Sequence, residues 1–552
     1  MTTNYTEATA PAVEEIGKTG WRYAPHLIIF ITSACIMIVE LVAGRLIARH
    51  LGSSLYTWTS IIAVILAGMS IGNFLGGRFA DRWRPEKLLG WLFMIASAMC
   101  LFTLFLNNVF AENAPEWITR MSWELRTIFS VFAIFLLPAM SLGTISPVTA
   151  KMALSRSDTV GATIGSVYAW GAVGSIVGTL ATGFLLIAWM GSKSVIISVA
   201  LGLAVVGTVL GPRRLIQAIW AILVGALLVL SNNTNKTIAN MTSKLGVDQT
   251  IVKIADRLGV REDTDYDFAV DGNYQYVKVR EEEAHYASGE KYRRRVLALD
   301  WLIHGYIDPD DPLHLVYSYE HVYAEMARRV IGGNQSPATF FIGGGSYTFP
   351  RWVLANWPTA KVDVAEIDPV VVRANYEALG LPRDAPIRTM VMDARNAIDS
   401  LPASEHYDAF FGDAFNDLSV PFHLLTLEFC QKVKNHLNPG GALLANLIDN
   451  YQSGLLLGRY YLTLKQAFKN VYVFCTDRTG VTEFRDTFVL VATDRDLDVS
   501  GLEPGHEGGI DASLLTEANI SSLIEKCGRQ ILTDDYAPVE NLLAPVVRQR
   551  KG

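Results

Sequence analysis

The first 231 residues alternate long apolar stretches with short polar breaks. Most of these stretches come near the ~20 apolar residues that a helix needs to cross a bilayer. The pattern therefore predicts a helical membrane domain at 25–231 with about seven spans, preceded by a polar tail at 1–24. The expected spans are 26–48, 57–80, 88–107, 127–146, 163–190, 194–210 and 214–230.

The pattern changes after the last apolar stretch. Residues 232–262 are polar and then weakly amphipathic, which predicts a linker. Residues 263–310 alternate apolar and polar positions and are rich in Tyr and Val, which is typical of a small β domain. From 311 to 552 short strands and helices take turns, which predicts a Rossmann-like α/β domain of the methyltransferase type, built on a largely parallel sheet.

The strands and helices of this last domain can be placed from the period of their apolar residues. Strands are expected near 339–342, 361–366, 387–392, 407–412, 441–447, 471–475 and 486–492. Helices are expected near 318–331, 348–356, 369–378, 424–437 and 455–469.

Composition and charge support a membrane half joined to a soluble half. The mean hydropathy is +0.25 and only 18% of residues are charged, which is too apolar for an ordinary soluble protein of this length. Residues 1–231 hold 15 Lys and Arg against 10 Asp and Glu, a net of +5, which leaves 32 against 44, a net of −12, for the rest. An acidic soluble half argues against a nucleic-acid partner and suits a cationic substrate. The five cysteines are scattered, which predicts buried thiols and neither disulfides nor a metal site.

The side of the membrane on which the soluble half lies is open on sequence grounds. The most basic loop, at 77–87, belongs in the cytoplasm by the positive-inside rule. With seven spans that places the soluble half outside, whereas a nucleoside-using enzyme is expected in the cytoplasm. We expect an integral protein of the cell (inner) membrane, favour the cytoplasmic side for the enzyme chemistry, and leave a homo-oligomer open.

Four successive strand ends carry groups suited to a nucleoside. The first strand runs into Gly343, Gly344 and Gly345, and Glu366 ends the second strand 23 residues after the first of these glycines. Glycines let the backbone approach a ligand closely, and an acid on the second strand takes the ribose hydroxyls. Asp393 and Asp413 follow the next two strands. Because these strand ends meet at one edge of a parallel sheet, the sequence predicts a nucleoside site there.

Taken with further motifs, these residues resemble the spermidine synthase family, the aminopropyltransferases, and more closely its members fused to transporter-like membrane helices. The resemblance covers nearly the whole chain. The stretches that carry it in the soluble half are 273–279, 297–300, 303–304, 318–320, 343–345, 366–368, 412–415, 421–429 and 533–539. In the membrane half they are Glu40, 143–147 and 167–170.

The resemblance implies a set of co-substrate contacts. Glu366 would hold the ribose hydroxyls of decarboxylated S-adenosylmethionine, Asp393 and Ala394 would meet the adenine, and Gln275 would touch the aminoalkyl arm. The glycine turn and Ser346, the residue after it, would complete the co-substrate site.

The resemblance also implies the acceptor site and the chemistry. Asp413 would be the general base for an amine such as putrescine or spermidine. Tyr319, His304, Asn416 and Asp417 would line the acceptor channel. The leaving group is neutral, so no metal is expected.

Three departures from the family pattern leave the identity of the substrate undecided. Ser346 stands where soluble members have Asp, Asn416 takes the place of the second acid of the acceptor site, and His304 replaces Gln. Transfer of a methyl or aminocarboxypropyl group from intact S-adenosylmethionine is therefore an alternative. A transporter whose soluble domain senses a nucleoside or polyamine is another.

Overall fold

The computed structural model describes residues 24–112, 114–231, 259, 266–286, 288–415, 420–477, 481, 484–502, 510 and 512–548. Almost all of the predicted tail and of the predicted linker, and the predicted acceptor residues Asn416 and Asp417, lie outside these residues.

Long apolar helices make up the N-terminal half. They are Ala24–Leu51 (α1), Leu55–Arg82 (α2), Pro85–Glu112 (α3), Glu116–Thr119 (α4), Trp123–Leu154 (α5), Val160–Ala181 (α6), Ile187–Leu210 (α7) and Arg214–Ser231 (α8). Within the described residues, five helical segments are long and apolar enough to cross a membrane, and the last of these runs from Val160 to Leu210. Gly191 breaks that segment with a φ of 73° and a ψ of 162°. Each predicted span therefore falls on helix, and the number of crossings stays a prediction.

Small residues allow close packing in this bundle. A Cβ atom on Gly72 of α2 would lie 2.2 Å from the carbonyl oxygen of Met140 on α5, and one on Gly76 would lie 2.4 Å from that of Thr144. Helix association within a bilayer depends on such backbone approach, since lipid is as apolar as the side chains.

The soluble half begins with a four-stranded antiparallel sheet in the order β1-β2-β3-β4. Its strands are Phe268–Asp271 (β1), Tyr276–His285 (β2), Lys291–Leu299 (β3) and Leu302–Ile307 (β4). Their Val and Leu residues pack on the helix at Pro369–Glu377, so this sheet lies beside the strand ends of the larger one.

An eight-stranded sheet follows, in the order β12-β10-β11-β9-β8-β5-β6-β7. Its strands are Ala338–Ile342 (β5), Lys361–Glu366 (β6), Ile387–Val391 (β7), Tyr407–Gly412 (β8), Leu437–Asn450 (β9), Asn470–Cys475 (β10), Arg485–Thr493 (β11) and Ser513–Leu514 (β12). Its helices are Ser318–Ile331 (α9), Thr348–Asn356 (α10), Pro369–Glu377 (α11), Ala394–Asp399 (α12), Leu427–Asn435 (α13), Leu455–Ala467 (α14), Glu517–Cys527 (α15) and Val539–Arg548 (α16).

The sheet is mixed, whereas the sequence predicted a largely parallel one. Strands β5 to β9 are linked by parallel pairing, but β10, β11 and β12 pair antiparallel. The direction reverses at β11, which follows β10 after a short connection and lies antiparallel between β10 and β9. Two further boundaries differ: β9 is longer than predicted, and α13 begins at Leu427 because the Thr426 side chain caps it.

Candidate active site

The carboxyl ends of β5, β6, β7 and β8 meet around one cleft. Ile342 pairs with Ala365 on one side and with Gly412 on the other, so the residue after each strand lies at the same edge. The cleft encloses about 470 Å³, which falls within the ~300–1,000 Å³ of small-molecule sites. The predicted site residues that line it are Gln275, His304, Gly343, Gly345, Glu366, Asp393, Ala394 and Asp413.

The glycine turn brings two strand ends together. Gly343 has a φ of 95°, which L side chains rarely adopt. A Cβ atom there would lie 2.6 Å from the carbonyl oxygen of Asp413. Glycine is therefore required both for the backbone angle and for the approach of β5 to the end of β8.

Glu366 accepts hydrogen bonds from the backbone of this turn. Its Oε2 accepts from the amides of Gly344 at 2.9 Å and Gly345 at 3.2 Å, and its Oε1 accepts from the amide of Asp368 at 2.9 Å. Burial raises the pKa of the Glu366 carboxyl, although the three amides oppose that shift. A carboxylate offers about four lone pairs, so Glu366, which lines the cleft, can accept one further hydrogen bond.

Asp393, which follows β7, caps the next helix. Its Oδ1 accepts from the amides of Arg395 at 2.9 Å and Asn396 at 3.3 Å and thereby caps α12. Its Oδ2 lies 2.8 Å from Nε2 of His423, which also lines the cleft. The cap fixes the carboxylate and leaves the imidazole facing the ligand space.

Asp413 is held by two side chains from other elements. The Tyr319 hydroxyl on α9 donates to Oδ2 at 2.8 Å, and Asn446 Nδ2 on β9 donates to Oδ1 at 2.9 Å. Burial raises the pKa of the Asp413 carboxyl, while both hydrogen bonds act to lower it. A carboxylate with a raised pKa and an open side toward a cavity can accept a proton.

A second cavity of about 280 Å³ adjoins the first at Asp413, His304 and Phe415. Tyr319 lies on its wall. Burial lowers the pKa of His304 to about 4, so the ring is neutral at pH 7. Its Nε2 atom is buried without a hydrogen-bond partner in the described chain and is available to a ligand.

Two predicted site residues, Gly344 and Ser346, line neither cavity. Gly344 points its amide at Glu366. The Ser346 hydroxyl bonds to Thr348 Oγ1 at 2.7 Å and packs against Gly305 of β4. Ser346 is only 4% exposed, so its side chain is turned away from the ligand space. Asn416 and Asp417 fall outside the described residues.

The sequence did not reveal two groups that the fold brings to the site. Asn446 sits in the middle of an apolar strand, and its Oδ1 is buried without a hydrogen-bond partner in the described chain. Tyr317 lines the second cavity and donates to the carbonyl of Ile303 at 3.2 Å. A lone Asn within a strand could have signalled the first, because a buried amide needs partners. No group of three or more His, Cys, Asp and Glu suited to a metal was found among the described residues.

Comparison with known proteins relates the chain to one enzyme family. No model of a known protein family matches it. It is 29% identical over 122 residues to the probable polyamine aminopropyl transferase of Bifidobacterium longum, covering 22% of this chain and 26% of that protein. It is 29% identical over 176 residues to the polyamine aminopropyltransferase of Vibrio vulnificus, covering 31% and 54%. The chain thus spans about half or less of these relatives' length.

Among solved structures, a probable spermidine synthase from Corynebacterium glutamicum matches with a TM-score of 0.42 and 21% identity, over 49% of this chain and 98% of that one. The sequence relatives confirm the resemblance to the spermidine synthase family drawn from the motifs.

Proposed function

We propose that this member of the spermidine synthase family is a membrane-bound transferase. It moves the aminopropyl group of decarboxylated S-adenosylmethionine to the amine of a small acceptor such as putrescine or spermidine. The membrane helices anchor it in the cell membrane, and the soluble half from residue 263 onward carries the chemistry. The names of its sequence relatives support the reaction class.

The observation that carries the proposal is the position of Asp413 between two adjoining cavities. One cavity has the glycine turn and Glu366, which suit a nucleoside. The other has Tyr319 and the unpartnered atoms of His304 and Asn446, which suit a small polar molecule. A group that lies between two ligand spaces can act on the bond formed between their occupants.

The chemistry needs a carboxylate at this point. An amine is protonated at pH 7 and has no lone pair for attack until it loses a proton. Asp413 accepts that proton, and the nitrogen then bonds to the propyl carbon next to the sulfonium. The carbon–sulfur bond breaks, its electron pair stays on sulfur, and neutral methylthioadenosine leaves. Base catalysis and the alignment of the two substrates are the contributions expected of the protein.

The proposed co-substrate contacts follow the family resemblance. Glu366 binds the ribose, Asp393 and Ala394 lie at the adenine, and Gln275 lies along the aminoalkyl arm, all within the same cleft. Tyr319 orients Asp413 and borders the acceptor.

Ser346 favours one alternative. Soluble family members have an Asp after the glycine turn, and here the hydroxyl is tied to Thr348 and offers no carboxylate to an aminopropyl ammonium. Transfer of a methyl or aminocarboxypropyl group from intact S-adenosylmethionine is therefore the second candidate.

The test measures product formation by the full chain and by Asp413→Asn. Wild type should release methylthioadenosine only when decarboxylated S-adenosylmethionine and an amine are both present. Asp413→Asn should lose about a hundredfold or more in rate, which is the usual scale of base catalysis, while still binding the nucleoside. Asp384→Asn, at an exposed carboxylate, is the matched control and should behave as wild type.

Binding of the two forms of the co-substrate separates the candidates. Tighter calorimetric binding of the decarboxylated form supports aminopropyl transfer. Preference for intact S-adenosylmethionine, with no aminopropyl product from any amine, contradicts it and favours the alternative.

A further inference from the structure

The nucleoside cleft is closed on one side by the membrane half. Helices α1 and α2 and the turn between them form a hairpin whose residues line the cleft together with Glu366 and Asp393. These hairpin residues, here called the membrane wall, are Gly44, Arg45 and Ala48 of α1, Ser53 of the turn, and Trp58 of α2. Glu366 and the membrane wall therefore border the same space.

Arg45 fixes the backbone that carries Gln275. Its guanidinium donates to the carbonyl oxygens of Gly272 at 2.6 Å and of Tyr274. These carbonyls belong to the turn between β1 and β2, directly before Gln275, which lines the cleft. The side chain of Arg45 thus joins a membrane helix to a turn of the co-substrate site.

A buried ion pair holds the end of β1, directly before the same turn. Arg49 Nη2 lies 2.6 Å from Asp271 Oδ2, and the side chains are 4% and 2% exposed. The amide of Ser192, just after the break at Gly191, donates to the same oxygen at 2.6 Å. Burial alone would raise the pKa of Asp271, but Arg49 and Arg45 hold it below its ordinary value. The carboxylate is therefore charged, and its partners come from two membrane helices.

Trp58 supplies an aromatic surface to the cleft. Its ring packs on the α1 backbone at Gly44, where a Cβ atom would lie 2.8 Å from the ring. The residue is nevertheless 37% exposed, so part of the indole is uncovered by protein. A purine is flat and apolar on its faces, and nucleic-acid bases stack on aromatic side chains of this kind.

We propose that the membrane wall is part of the nucleoside site: Trp58 packs against the nucleoside of the sulfonium co-substrate, and Arg45 positions the Gln275 turn around it. The inference rests on the proposed function and adds binding residues from the membrane half. The nucleoside site is then complete only when the membrane half is docked on the soluble half.

The experiment measures binding of methylthioadenosine to the detergent-purified full chain by calorimetry. Trp58→Ala should weaken binding about tenfold or more, the usual order for loss of a base–aromatic contact. Trp58→Phe keeps a ring on Gly44 and should retain most of the affinity. Arg45→Gln should weaken binding of decarboxylated S-adenosylmethionine in the same assay, because methylthioadenosine lacks the aminoalkyl arm along which Gln275 lies. In steady-state kinetics these changes should raise KM for the nucleoside and leave KM for the amine unaltered.

Two matched variants control for general effects on the membrane half. Trp91→Ala removes a tryptophan of equal exposure, 38%, that does not line the cleft. Arg120→Gln removes an arginine whose partner is the exposed Glu116. Both should bind methylthioadenosine as wild type does, and unfolding midpoints identify any variant that is merely destabilised.

The outcomes separate this inference from the proposed function. Wild-type affinity of Trp58→Ala for methylthioadenosine together with wild-type affinity of Arg45→Gln for decarboxylated S-adenosylmethionine overturns the inference, as does a rise in amine KM with unchanged nucleoside affinity. A wild-type protein that binds methylthioadenosine but transfers no aminopropyl group overturns the proposed function only. A wild-type protein that binds no nucleoside overturns both.

Discussion

Burial and hydrogen bonding shift the pKa of the Asp413 carboxyl in opposite directions. Burial raises the pKa of its carboxyl and is the larger effect, while the Tyr319 hydroxyl and the Asn446 amide stabilise the charged form. A base must be deprotonated to work, so the rate of transfer should fall as pH drops through this raised pKa. The acid limb should therefore lie above the range of an ordinary Asp, ~3.9.

Tyr319→Phe tests this balance. Removing the hydroxyl takes away a donor that favours the carboxylate, so the pKa rises further and the acid limb of kcat/KM moves to higher pH. The measurement is a pH–rate profile at subsaturating amine. Tyr317→Phe is the matched control, because that hydroxyl bonds to the carbonyl of Ile303 and not to Asp413. Equal profiles for wild type and Tyr319→Phe would contradict the assignment of Asp413 as base.

The role of Asn446 could not be predicted from its place in the sequence. Glu366 and Asp413 could be predicted because each ends an apolar strand, and strand ends of a parallel sheet converge. Asn446 lies within β9, and only the pairing of β9 with β8 brings it opposite the end of that strand, where Gly412 pairs with Ala445. Its role depends on register, which the pattern of apolar residues in one strand does not give.

At the scale of elements, the clearest prediction concerns a substitution in the glycine turn. Gly343→Ala adds a Cβ atom at a φ of 95° and 2.6 Å from the carbonyl oxygen of Asp413. The strand ends must move apart, so nucleoside affinity should fall at least tenfold and the unfolding midpoint should drop. Calorimetry with methylthioadenosine and thermal unfolding measure the two effects.

Gly289→Ala separates backbone strain from the steric clash. Gly289 also has a positive φ, 86°, but a Cβ atom there meets nothing within 4 Å. Its substitution should cost about 1 kcal/mol or more through strain alone and leave nucleoside binding unchanged. If both variants lose stability equally and both bind methylthioadenosine normally, the close approach of β5 to Asp413 is unimportant.

The seven predicted strands and five predicted helices of the soluble half match observed elements, but α12, α15, α16 and β12 were not predicted, and neither was the docking on the membrane half. Alternating strands and helices leave a strong local pattern, as at β5 and α9, whose bounds match the prediction closely. The contact of Arg49 with Asp271 joins residues 222 apart in the chain. Arg45 lies within the first predicted span and binds a turn of the soluble half, and no local periodicity encodes such a contact.

At the scale of the whole molecule, basic residues gather at the end of the helical bundle away from the soluble half. The amide of Leu55, at the start of α2, bonds to Glu540 of the soluble half. The 28 residues of α2 then span ~42 Å at 1.5 Å per residue. Lys151 pairs with Asp81 and Arg156 with Glu86 at that distant end, and Gly211 packs there on Gly90. Its basic residues are Arg78, Arg82, Arg84, Lys87, Lys151, Arg156, Arg213 and Arg214.

The positive-inside rule turns this charge distribution into a prediction of topology. Eight basic residues at the distant end belong in the cytoplasm, which places the soluble half outside, in contrast to the side favoured by enzyme chemistry. Labelling decides between them, because all five native cysteines are buried and give little background. The positive-inside rule predicts that, in intact cells, a membrane-impermeant maleimide labels Ser521→Cys, at an exposed position of α15, and spares Trp83→Cys at the distant end. The reverse pattern would place the soluble half with the cytoplasmic pool of nucleosides. The pattern that the positive-inside rule predicts would mean that the co-substrate has to cross the membrane to reach a cleft that the membrane helices themselves border.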